Sequence, residues 1–342
     1  MSHVLFISDP NTPDYGAQYL FDGFCDLLGP EHVVEWPHNP YHHVAPGAEM
    51  SGAELSWPTR SWRSEDVREL LSAGAIDLIV MSSVRVGAMR AAEDFGIWLA
   101  CSKRGMVVCD FDDAEPLTCT AALPRLREFA PVTAVFKREL LPGRDYGVEV
   151  LPLPFGYPRG RIVTDAIRAD DAPIVFYRAH DWGWPADSIR HRMVQALRDA
   201  FGNRADVGLS EEQRAAGLKA PGRLSVADYR RRLAATQCGL ALNQGGGSDT
   251  NRYWETVAAG CVLVTDRPRH VIPNDFEDGT EACVYTSVDE AVEQVRLLAS
   301  DPDRRLQIAN AGLTKLRAHH TTGARARTVL DAAGINAPRR CS

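Results

Sequence analysis

The stretch that decides the fold reads Leu240-Ala-Leu-Asn-Gln-Gly-Gly-Gly-Ser-Asp-Thr-Asn-Arg-Tyr-Trp-Glu-Thr-Val-Ala-Ala-Gly-Cys-Val-Leu-Val-Thr265. An apolar run leads into three consecutive glycines, then into a segment with helical periodicity, and a second apolar run follows Gly260. Glycine at that position commonly ends a helix in the left-handed conformation. The order predicts a strand, a glycine-rich turn, a helix and a second strand, which is the repeating unit of a parallel sheet with crossover helices.

The same alternation continues on both sides of this stretch. Short apolar runs without period-two alternation indicate strands that are buried on both faces. The predicted strands are Val4–Ile7, Leu78–Met81, Met106–Cys109, Thr133–Phe136, Val148–Leu151, Ile174–Tyr177, Ala205–Leu209, Cys238–Leu242, Val262–Thr265 and Cys283–Tyr285. The predicted helices are Tyr19–Leu28, Ser64–Ser72, Ala186–Phe201, Val226–Ala235, Thr250–Ala259, Ser287–Ala299 and Asp301–His319, with Ser64, Ser225 and Ser287 as N-caps.

A proline-rich segment interrupts this pattern. Residues Leu151 to Gly160 contain three prolines and two glycines, which oppose both helix and sheet, so we interpret the segment as an interdomain linker. We therefore expect an α/β protein with two Rossmann-like doubly wound domains that face a cleft. The N-terminal domain spans residues 1–155, the C-terminal domain 156–320, and a tail covers 321–342, with a helix that packs back on the N-terminal domain as one option. Such sheets bind ligands at the carboxyl ends of their strands.

The composition narrows the class of protein. The chain has 342 residues, of which 45% are hydrophobic and 24% charged, as in globular proteins with full cores. Its net charge of −7 gives no clear signal of nucleic-acid binding. It has no apolar run of the roughly 18 residues that a transmembrane helix needs, and its first residues do not resemble a signal peptide. The sequence therefore predicts a cytoplasmic protein, and the cysteine spacing favours buried, reduced thiols over a zinc site.

The glycine-rich turn carries the chemistry of the opening stretch. Gly245, Gly246 and Gly247 let the backbone approach a ligand closely, and the N-terminus of the following helix offers free N–H groups to a phosphate. Arg252 lies in the first helical turn, where its guanidinium can clamp a diphosphate, and Glu255 can accept hydrogen bonds from ribose hydroxyls. The same segment adds three candidate donor-binding residues: Asn243, Asp249 and Thr250. The alternative is an ordinary loop followed by an exposed arginine–glutamate pair.

The pattern Arg252-x-x-Glu255-x-x-Ala258-x-Gly260, followed by a strand, resembles the donor-site signature of GT-B glycosyltransferases. Further matching patterns are Tyr229-x-x-x-Leu233, Phe276-x-x-Gly279-x-Glu281 and Asp301-Pro302-x-x-Arg305. The resemblance covers residues 174 to 330 and is closest to the bacterial exostosin-like and spore-coat (CgeB-like) branches. It implies two Rossmann-like domains, a nucleotide-sugar donor in the C-terminal domain, an acceptor on the N-terminal domain, and no metal or other cofactor.

The sequence also departs from that family's pattern. Commoner retaining members carry a second glutamate earlier in the motif, where this chain has Gly247, Ser248 and Asp249. Retention and inversion at the anomeric carbon therefore both stay open. So do the donor sugar, hexose or pentose, and the acceptor, which is a glycan, a lipid-linked molecule or a small molecule. Monomer and homodimer are equally compatible with the sequence.

Residues after the strand Ile174–Tyr177 are further donor-side candidates. Tyr177 and Arg178 are assigned to donor binding, with the arginine facing a phosphate. His180 is a candidate acid or base, because the ordinary pKa of histidine lies near neutrality. A surface loop with an aromatic anchor explains these residues equally well.

The loop after the first strand supplies the acceptor-side candidates. Asp9 and Asp14 are candidate catalytic bases, and Tyr15 and Gly16 are assigned to acceptor binding, because the resemblance places the acceptor at this loop. These residues are also what a turn and a helix start require.

Two other polar clusters end predicted strands. Asp110 and Asp112 form a D-x-D pattern, which suits a divalent cation in other transferases, but the two-domain pattern favours acceptor binding or a solvated loop here. Lys137 is assigned to an anionic acceptor. The adjacent pairs His42–His43 and His319–His320 are interpreted as structural or exposed, since neighbouring side chains point apart, and no metal site is predicted.

These observations predict a metal-independent glycosyltransferase, in which a helix N-terminus and Arg252 stabilise the leaving nucleoside diphosphate. Two other classes stay open: a nucleotide-sugar epimerase or hydrolase of the same fold, and a non-catalytic nucleotide-sugar-binding module.

Overall fold

The structure is a computed structural model that describes residues 3–43, 57, 62–113, 116–166, 172–179, 188–209, 224–243 and 250–336. The chain forms two compact units. Unit 1 contains residues 1–159, 270–273 and 320–342, and unit 2 contains residues 160–269 and 274–319. The chain passes from the first unit to the second within the proline-rich segment.

Unit 1 contains a parallel sheet of six strands. They are β1 (Val4–Ile7), β2 (Val33–Trp36), β3 (Leu78–Met81), β4 (Met106–Asp110), β5 (Val132–Lys137) and β6 (Leu151–Pro152). The spatial order is β2-β1-β3-β4-β5-β6. Because β2 and β3 lie on opposite sides of β1, the winding direction reverses between β1 and β3. The carboxyl ends of those two strands therefore border the crevice in which doubly wound sheets bind ligands.

Helices cover both faces of this sheet. They are α1 (Tyr15–Leu28), α2 (Ser64–Ser72), α3 (Val86–Phe95), α4 (Leu123–Phe129) and, from the C-terminal end of the chain, α10 (Thr322–Ala332). One core cluster joins the sheet to α2, α3 and α4, and a second joins the opposite face to α1 and α10. Strand residues such as Leu5 and Phe6 thus enter different clusters, as the alternation of a strand requires.

Helices α1 and α10 pack closely in unit 1. A Cβ on Gly23 would lie 2.1 Å from the backbone oxygen of Thr322, so only glycine fits in α1 at this crossing. Thr322 Oγ1 also donates a 2.6 Å hydrogen bond to Asp22 Oδ2. The C-terminal helix is therefore fixed to the N-terminal part of the chain by both packing and a buried polar contact.

Unit 2 contains a second parallel sheet, of five strands. They are β7 (Val175–Ala179), β8 (Ala205–Leu209), β9 (Cys238–Ala241), β10 (Val262–Thr265) and β11 (Cys283–Val284), in the spatial order β11-β10-β9-β7-β8. Strands β8 and β9 lie on opposite sides of β7, so the winding reverses between β7 and β9. The ends of these two strands mark the ligand-binding edge that this topology predicts.

The helices of unit 2 begin at polar caps. They are α5 (Ile189–Phe201), α6 (Val226–Ala234), α7 (Asn251–Ala258), α8 (Val288–Ser300) and α9 (Pro302–His319). Ser225 Oγ accepts from the Asp228 N–H at the start of α6, and Ser287 Oγ accepts from the Glu290 N–H at the start of α8. Both caps satisfy N–H groups that a helix leaves unpaired in its first turn. Short 3-10 helices lie at Pro30–His32, Pro40–His42, Gly96–Cys101, Arg159–Arg161 and Gly202–Arg204.

Much of the predicted secondary structure is confirmed. The strands Val4–Ile7, Leu78–Met81, Ala205–Leu209 and Val262–Thr265 have the predicted bounds, and α2 and α9 also match. The prediction of a strand over Val148–Leu151 is wrong for all but its last residue, because this edge segment pairs with β5 only at Leu151 and Pro152. Ser64 is not an N-cap: Arg63 is, and its N–H is bound by the carboxylate of Asp66.

Three elements were not predicted. Strand β2 contains a glutamate among its four residues, and α4 contains a proline in its first turn. Helix α3 is the third element that was not predicted. Helix α1 was predicted, but it begins at Tyr15, four residues before its predicted start.

The described cysteines and helices bear on two further features of the sequence. The described cysteines form no disulfide, and all of them except Cys101 are buried. Over the described ranges, no helix is both long enough and apolar enough to cross a membrane.

Candidate functional site

Helix α7 begins at the carboxyl edge of the unit 2 sheet, directly after β9. Gly260, which follows the helix, has a φ of 71°, the left-handed conformation predicted for it. Within the sheet, a Cβ on Gly239 would lie 2.5 Å from Thr256, so glycine in β9 lets α7 pack directly on the strand. Gly239 and Gly260 therefore help to set the position of the first turn of α7 relative to β9.

Arg252 connects that first turn to the end of β7. Its Nε donates a 3.1 Å hydrogen bond to the backbone oxygen of Arg178. Its guanidinium carbon lies 5.8 Å from the centre of the Tyr177 ring, within the range of a cation–π contact. Within the described part of the chain, Arg252 forms no ion pair with a carboxylate. Arg252 does act electrostatically on Glu255 of the same helix, because it lowers the pKa of that carboxyl, but the two side chains form no salt bridge.

Several side-chain oxygens around the start of α7 form no hydrogen bond with the described residues. Thr250 is the N-cap residue, but its side chain makes no capping hydrogen bond. The side-chain oxygens of Asn243, Thr250 and Asn251 are buried and accept no hydrogen bond from any described residue. Buried polar atoms in folded proteins are nearly always satisfied, so these oxygens are available either to a ligand or to residues outside the described ranges.

Glu255 lies one turn further along α7 and is half-buried. Burial raises the pKa of its carboxyl, while Arg252, Arg230 and a hydrogen bond with Tyr229 act in the opposite direction. The carboxyl is therefore held beside Arg252, on the same helix, in a partly shielded environment.

The side chains of three predicted donor-binding residues contact other residues of unit 2. The Arg178 guanidinium forms an ion pair with Asp206 on the neighbouring strand β8, so its side chain does not point to a free phosphate position. Tyr177 is 1% exposed and supports Arg252 from the core. Asn243 is 3% exposed, and its amide nitrogen donates to Thr265 and to the backbone oxygen of Asp266. Side-chain contact of Tyr177 with a ligand is excluded by this burial.

Other predicted residues lie outside the described residues. They are His180, Gly245, Gly246, Gly247 and Asp249. Their assignments to catalysis and donor binding stay predictions.

The corresponding edge of unit 1 carries Asp9 and Asp14. A shallow depression at the ends of β1 and β3 is lined by both carboxylates together with Ser8, Asn39, Ser83 and Arg85. Asp9 is 8% exposed, and its Oδ1 accepts from the Asn11 N–H at 2.9 Å. The structure thus brings together the two predicted bases at the point where the winding of this sheet reverses.

Asp14 is the N-cap of α1. Its Oδ1 accepts from the Ala17 N–H at 3.1 Å. Burial raises the pKa of the Asp14 carboxyl, although the Ala17 N–H and Arg85 oppose the shift. Tyr15 is the first residue of the helix and is half-buried. A Cβ on Gly16 would lie 2.2 Å from the Phe111 ring, so packing explains this glycine without a ligand.

The predictions for Lys137 and Asp110 are wrong as far as direct acceptor contact is concerned. Both side chains are fully buried, with Lys137 Nζ 3.5 Å from Asp110 Oδ2. Thr118 donates to Asp110 through its backbone N–H at 2.7 Å and its hydroxyl at 2.8 Å. An interior ion pair of this kind can reach no acceptor. Asp112 is half-buried and forms a 2.5 Å ion pair with Arg85.

A cluster of side chains around Glu35 was not predicted from the sequence. This glutamate lies in β2 and is 4% exposed, and its carboxylate contacts His38, His42 and His43. Burial acts to raise the pKa of Glu35, but hydrogen bonds with His42 and His43 lower it to about 2. A glutamate followed at short intervals by three histidines was the available signal.

The family comparison covers part of the chain. Residues 190–331 match the model of a family described as "Glycosyl transferase-like". This range begins in α5 and ends in α10, and it includes Arg252 and Glu255. No curated protein matches the chain.

Solved structures match over nearly the whole chain. The Anabaena protein Alr3699/HepE in complex with UDP and glucose is 12% identical, with a TM-score of 0.58 over 98% of this chain and 100% of that one. An alpha-glucosyltransferase in complex with UDP-glucose and DNA containing an abasic site is 10% identical, with a TM-score of 0.60 over 98% and 99%. A putative UDP-N-acetylglucosamine 2-epimerase from Listeria monocytogenes is 11% identical, with a TM-score of 0.50 over 96% and 95%.

These likenesses show the fold. The two parallel sheets with flanking helices match GT-B glycosyltransferases, as the sequence predicted. The match of residues 190–331 to the family described as "Glycosyl transferase-like" agrees with that fold. The exostosin-like or CgeB-like branch stays a prediction.

Proposed function

We propose that this protein transfers a sugar from a nucleoside diphosphate donor, with uridine diphosphate as the first candidate, to an acceptor hydroxyl. The donor binds unit 2 at the N-terminus of α7. The observation that carries the proposal is Arg252, fixed through Nε by the Arg178 carbonyl beside buried oxygens that no described residue satisfies. The UDP complexes of the matching structures support this choice of donor.

The diphosphate is the group that this arrangement suits. As the sugar leaves, the bond from the anomeric carbon to the diphosphate oxygen breaks, and the nucleotide keeps the electron pair. The helix N-terminus and the terminal nitrogens of Arg252 stabilise that growing charge without moving, because Arg178 and Tyr177 already hold the guanidinium. Glu255 accepts hydrogen bonds from the ribose hydroxyls and so sets the position of the nucleotide.

The acceptor oxygen forms the new bond to the anomeric carbon, and its proton passes to a general base. Asp14 is the strongest candidate among Asp14, Asp9 and His180. Its pKa is raised by burial, which improves a carboxylate as a base at neutral pH. This step uses no metal.

A thermal-shift screen tests the donor. The protein is heated with UDP, UDP-glucose and the corresponding GDP-, dTDP- and CMP-sugars, since a ligand that binds only the folded state raises the melting temperature. We expect a UDP compound to give the largest shift, and Arg252→Ala to lose it. Arg296→Ala is the matched control, because the Arg296 side chain is 56% exposed on helix α8 of the same unit and pairs with Glu293. A shift that survives Arg252→Ala contradicts the proposal.

A nucleotide-sugar epimerase or hydrolase is the second candidate function. The likeness to the putative Listeria epimerase favours it as the alternative. Incubation with a nucleotide-sugar that shifts the melting temperature, without any acceptor, distinguishes the two. Epimerised or hydrolysed sugar at a catalytic rate supports the second candidate, whereas turnover only with an added acceptor supports transfer. Binding without either reaction indicates a non-catalytic module.

A further inference from the structure

The Glu35 cluster of unit 1 gathers three histidines around one buried carboxylate. Oε1 of Glu35 lies 2.5 Å from His42 Nδ1, and Oε2 lies 2.8 Å from His43 Nε2 and 3.2 Å from His38 Nδ1. All four residues belong to β2 and the turn that follows it. The cluster takes no part in the proposed sugar transfer.

The turn after β2 brings these side chains together. Asn39 caps the 3-10 helix Pro40–His42 by accepting from the Tyr41 N–H at 3.0 Å, and this short helix turns the chain back toward the strand. The His42 ring is completely buried and stacks on Phe21 with ring centres 4.7 Å apart. His42 is thereby fixed as a partner of Oε1, which leaves Oε2 to the other two histidines.

Hydrogen bonding restricts the protonation state of His43. Its Nδ1 lies 3.3 Å from the backbone oxygen of Trp57, which can only accept a hydrogen bond. Nδ1 therefore carries a proton, and in the neutral ring Nε2 presents a lone pair. That lone pair faces the carboxylate oxygen of Glu35 at 2.8 Å. A proton on Nε2 makes this contact a hydrogen bond, and a metal ion that binds both atoms from one side would take the place of that proton.

We propose that Glu35 Oε2, His38 Nδ1 and His43 Nε2 bind one divalent transition-metal ion of the zinc type. Two imidazole nitrogens and one carboxylate oxygen are a donor set that suits zinc and its neighbours better than calcium or magnesium. His42 is a positioning residue, because its contact with Oε1 orients the carboxylate without touching the ion.

The distances fit such an ion. One ligand atom from each of Glu35, His38 and His43 lies within 4.8 Å of the other two. Ligands at zinc–ligand bond lengths of about 2.0–2.2 Å in a tetrahedron are roughly 3.3 Å apart. The rings of His38 and His43 are now nearly parallel, at an angle of 24°, so one ring has to turn on binding. His38 can turn, since its side chain is 41% exposed, and a fourth position stays open on its solvent side.

Bound metal stabilises the turn that holds Asn39. The Asn39 side-chain nitrogen donates to Ser8 Oγ and to the backbone oxygen of Asp9, both at 3.0 Å. Because the ligands flank Asn39 in the sequence, an ion that ties β2 to the turn also fixes this bridge to the loop after β1. The expected consequence is a higher melting temperature with metal than without it.

The test uses the full chain after removal of metal with a chelator. Calorimetric titration with zinc chloride measures the stoichiometry and affinity, and titration with cobalt(II) gives visible absorption bands if the site is tetrahedral. We expect one ion per chain. His38→Ala removes an exposed ligand with little effect on folding, and it is expected to weaken zinc binding by roughly 10–100-fold. His38→Gln serves as a second variant, and the metal-free melting temperature of each is compared with that of the wild type.

Two control variants separate this site from incidental binding. His319→Ala removes another exposed histidine and is expected to leave affinity unchanged. His32→Ala disrupts the other close pair, in which His32 Nδ1 lies 3.2 Å from His3 Nε2. The proposal is overturned if zinc does not bind, if both His38 variants bind zinc as the wild type does, or if His32→Ala abolishes binding. These outcomes are independent of sugar transfer.

Discussion

The most informative perturbation is the replacement of Arg252 by alanine and, separately, by lysine. Alanine removes the guanidinium and with it the bond to the Arg178 carbonyl. Lysine keeps one positive charge but has a single nitrogen. It cannot bind the Arg178 carbonyl and face a diphosphate with a pair of nitrogens at the same time. The two variants therefore separate charge from geometry.

The magnitude follows from the nitrogens that remain available. With Nε bound to Arg178, the two terminal nitrogens can donate to the diphosphate. A hydrogen bond to a charged group contributes roughly 1.5–3 kcal/mol, and about 1.4 kcal/mol corresponds to a tenfold change in Kd. Loss of at least one such bond in Arg252→Ala should raise the Kd for UDP by about 10- to 150-fold. Arg252→Lys is expected to fall between the wild type and the alanine variant.

Isothermal titration calorimetry measures the Kd for UDP of the wild type, Arg252→Lys and Arg252→Ala. Arg296→Ala is the control, and its affinity for UDP is expected to be unchanged. The order wild type, lysine, alanine is the expected result. An alanine variant that binds UDP as tightly as the wild type refutes the assignment of the diphosphate to α7. A lysine variant as weak as the alanine variant means that geometry, rather than charge, dominates.

Three further predictions concern unit 1. Gly23→Ala should lower the free energy of unfolding by roughly 1–3 kcal/mol, because its Cβ would strike the backbone oxygen of Thr322; an unchanged urea midpoint contradicts this. Lys137→Met should lower the free energy of unfolding by roughly 3 kcal/mol, because it leaves Asp110 buried without its cation. Urea denaturation measures this change, and an unchanged free energy of unfolding would show that the ion pair is dispensable. Burial raises the pKa of Asp14 above its ordinary 3.8, so its stabilising contribution is present at low pH and is lost as pH rises through the folded-state pKa. Asp14→Asn, which keeps a capping oxygen, should therefore gain stability relative to the wild type between pH 3 and pH 7 in thermal melts, and a difference that is flat with pH argues against the shift.

The donor segment was predictable because its signals are local. The apolar runs of β9 and β10, the stop at Gly260 and the spacing of Arg252 and Glu255 are all visible within one stretch of sequence. Hydrophobic runs and helix stops depend on neighbouring residues, so they identify elements without knowledge of the rest of the fold.

Strand β2 could not be identified from a local hydrophobic pattern. Its four residues include Glu35, whose charge breaks the apolar pattern expected of a buried strand. The three histidines that accommodate the carboxylate come from a turn whose course depends on the Asn39 cap. Adjacent His42 and His43 were expected to point apart, but both contact the carboxylate of Glu35, one at each oxygen.

The sequence by itself determined two parallel sheets, most of their strands, and the helix between β9 and β10, because hydrophobic periodicity and helix stops are properties of short segments. Tertiary structure alone decided which charged side chains are available for binding. Arg178 is paired with Asp206 across neighbouring strands, Lys137 is buried beside Asp110, and Arg252 forms no salt bridge with a carboxylate of the described residues. The partner of a charged side chain depends on which distant residues the sheet brings beside it, and the energetic cost of burying an unpaired charge then fixes that choice.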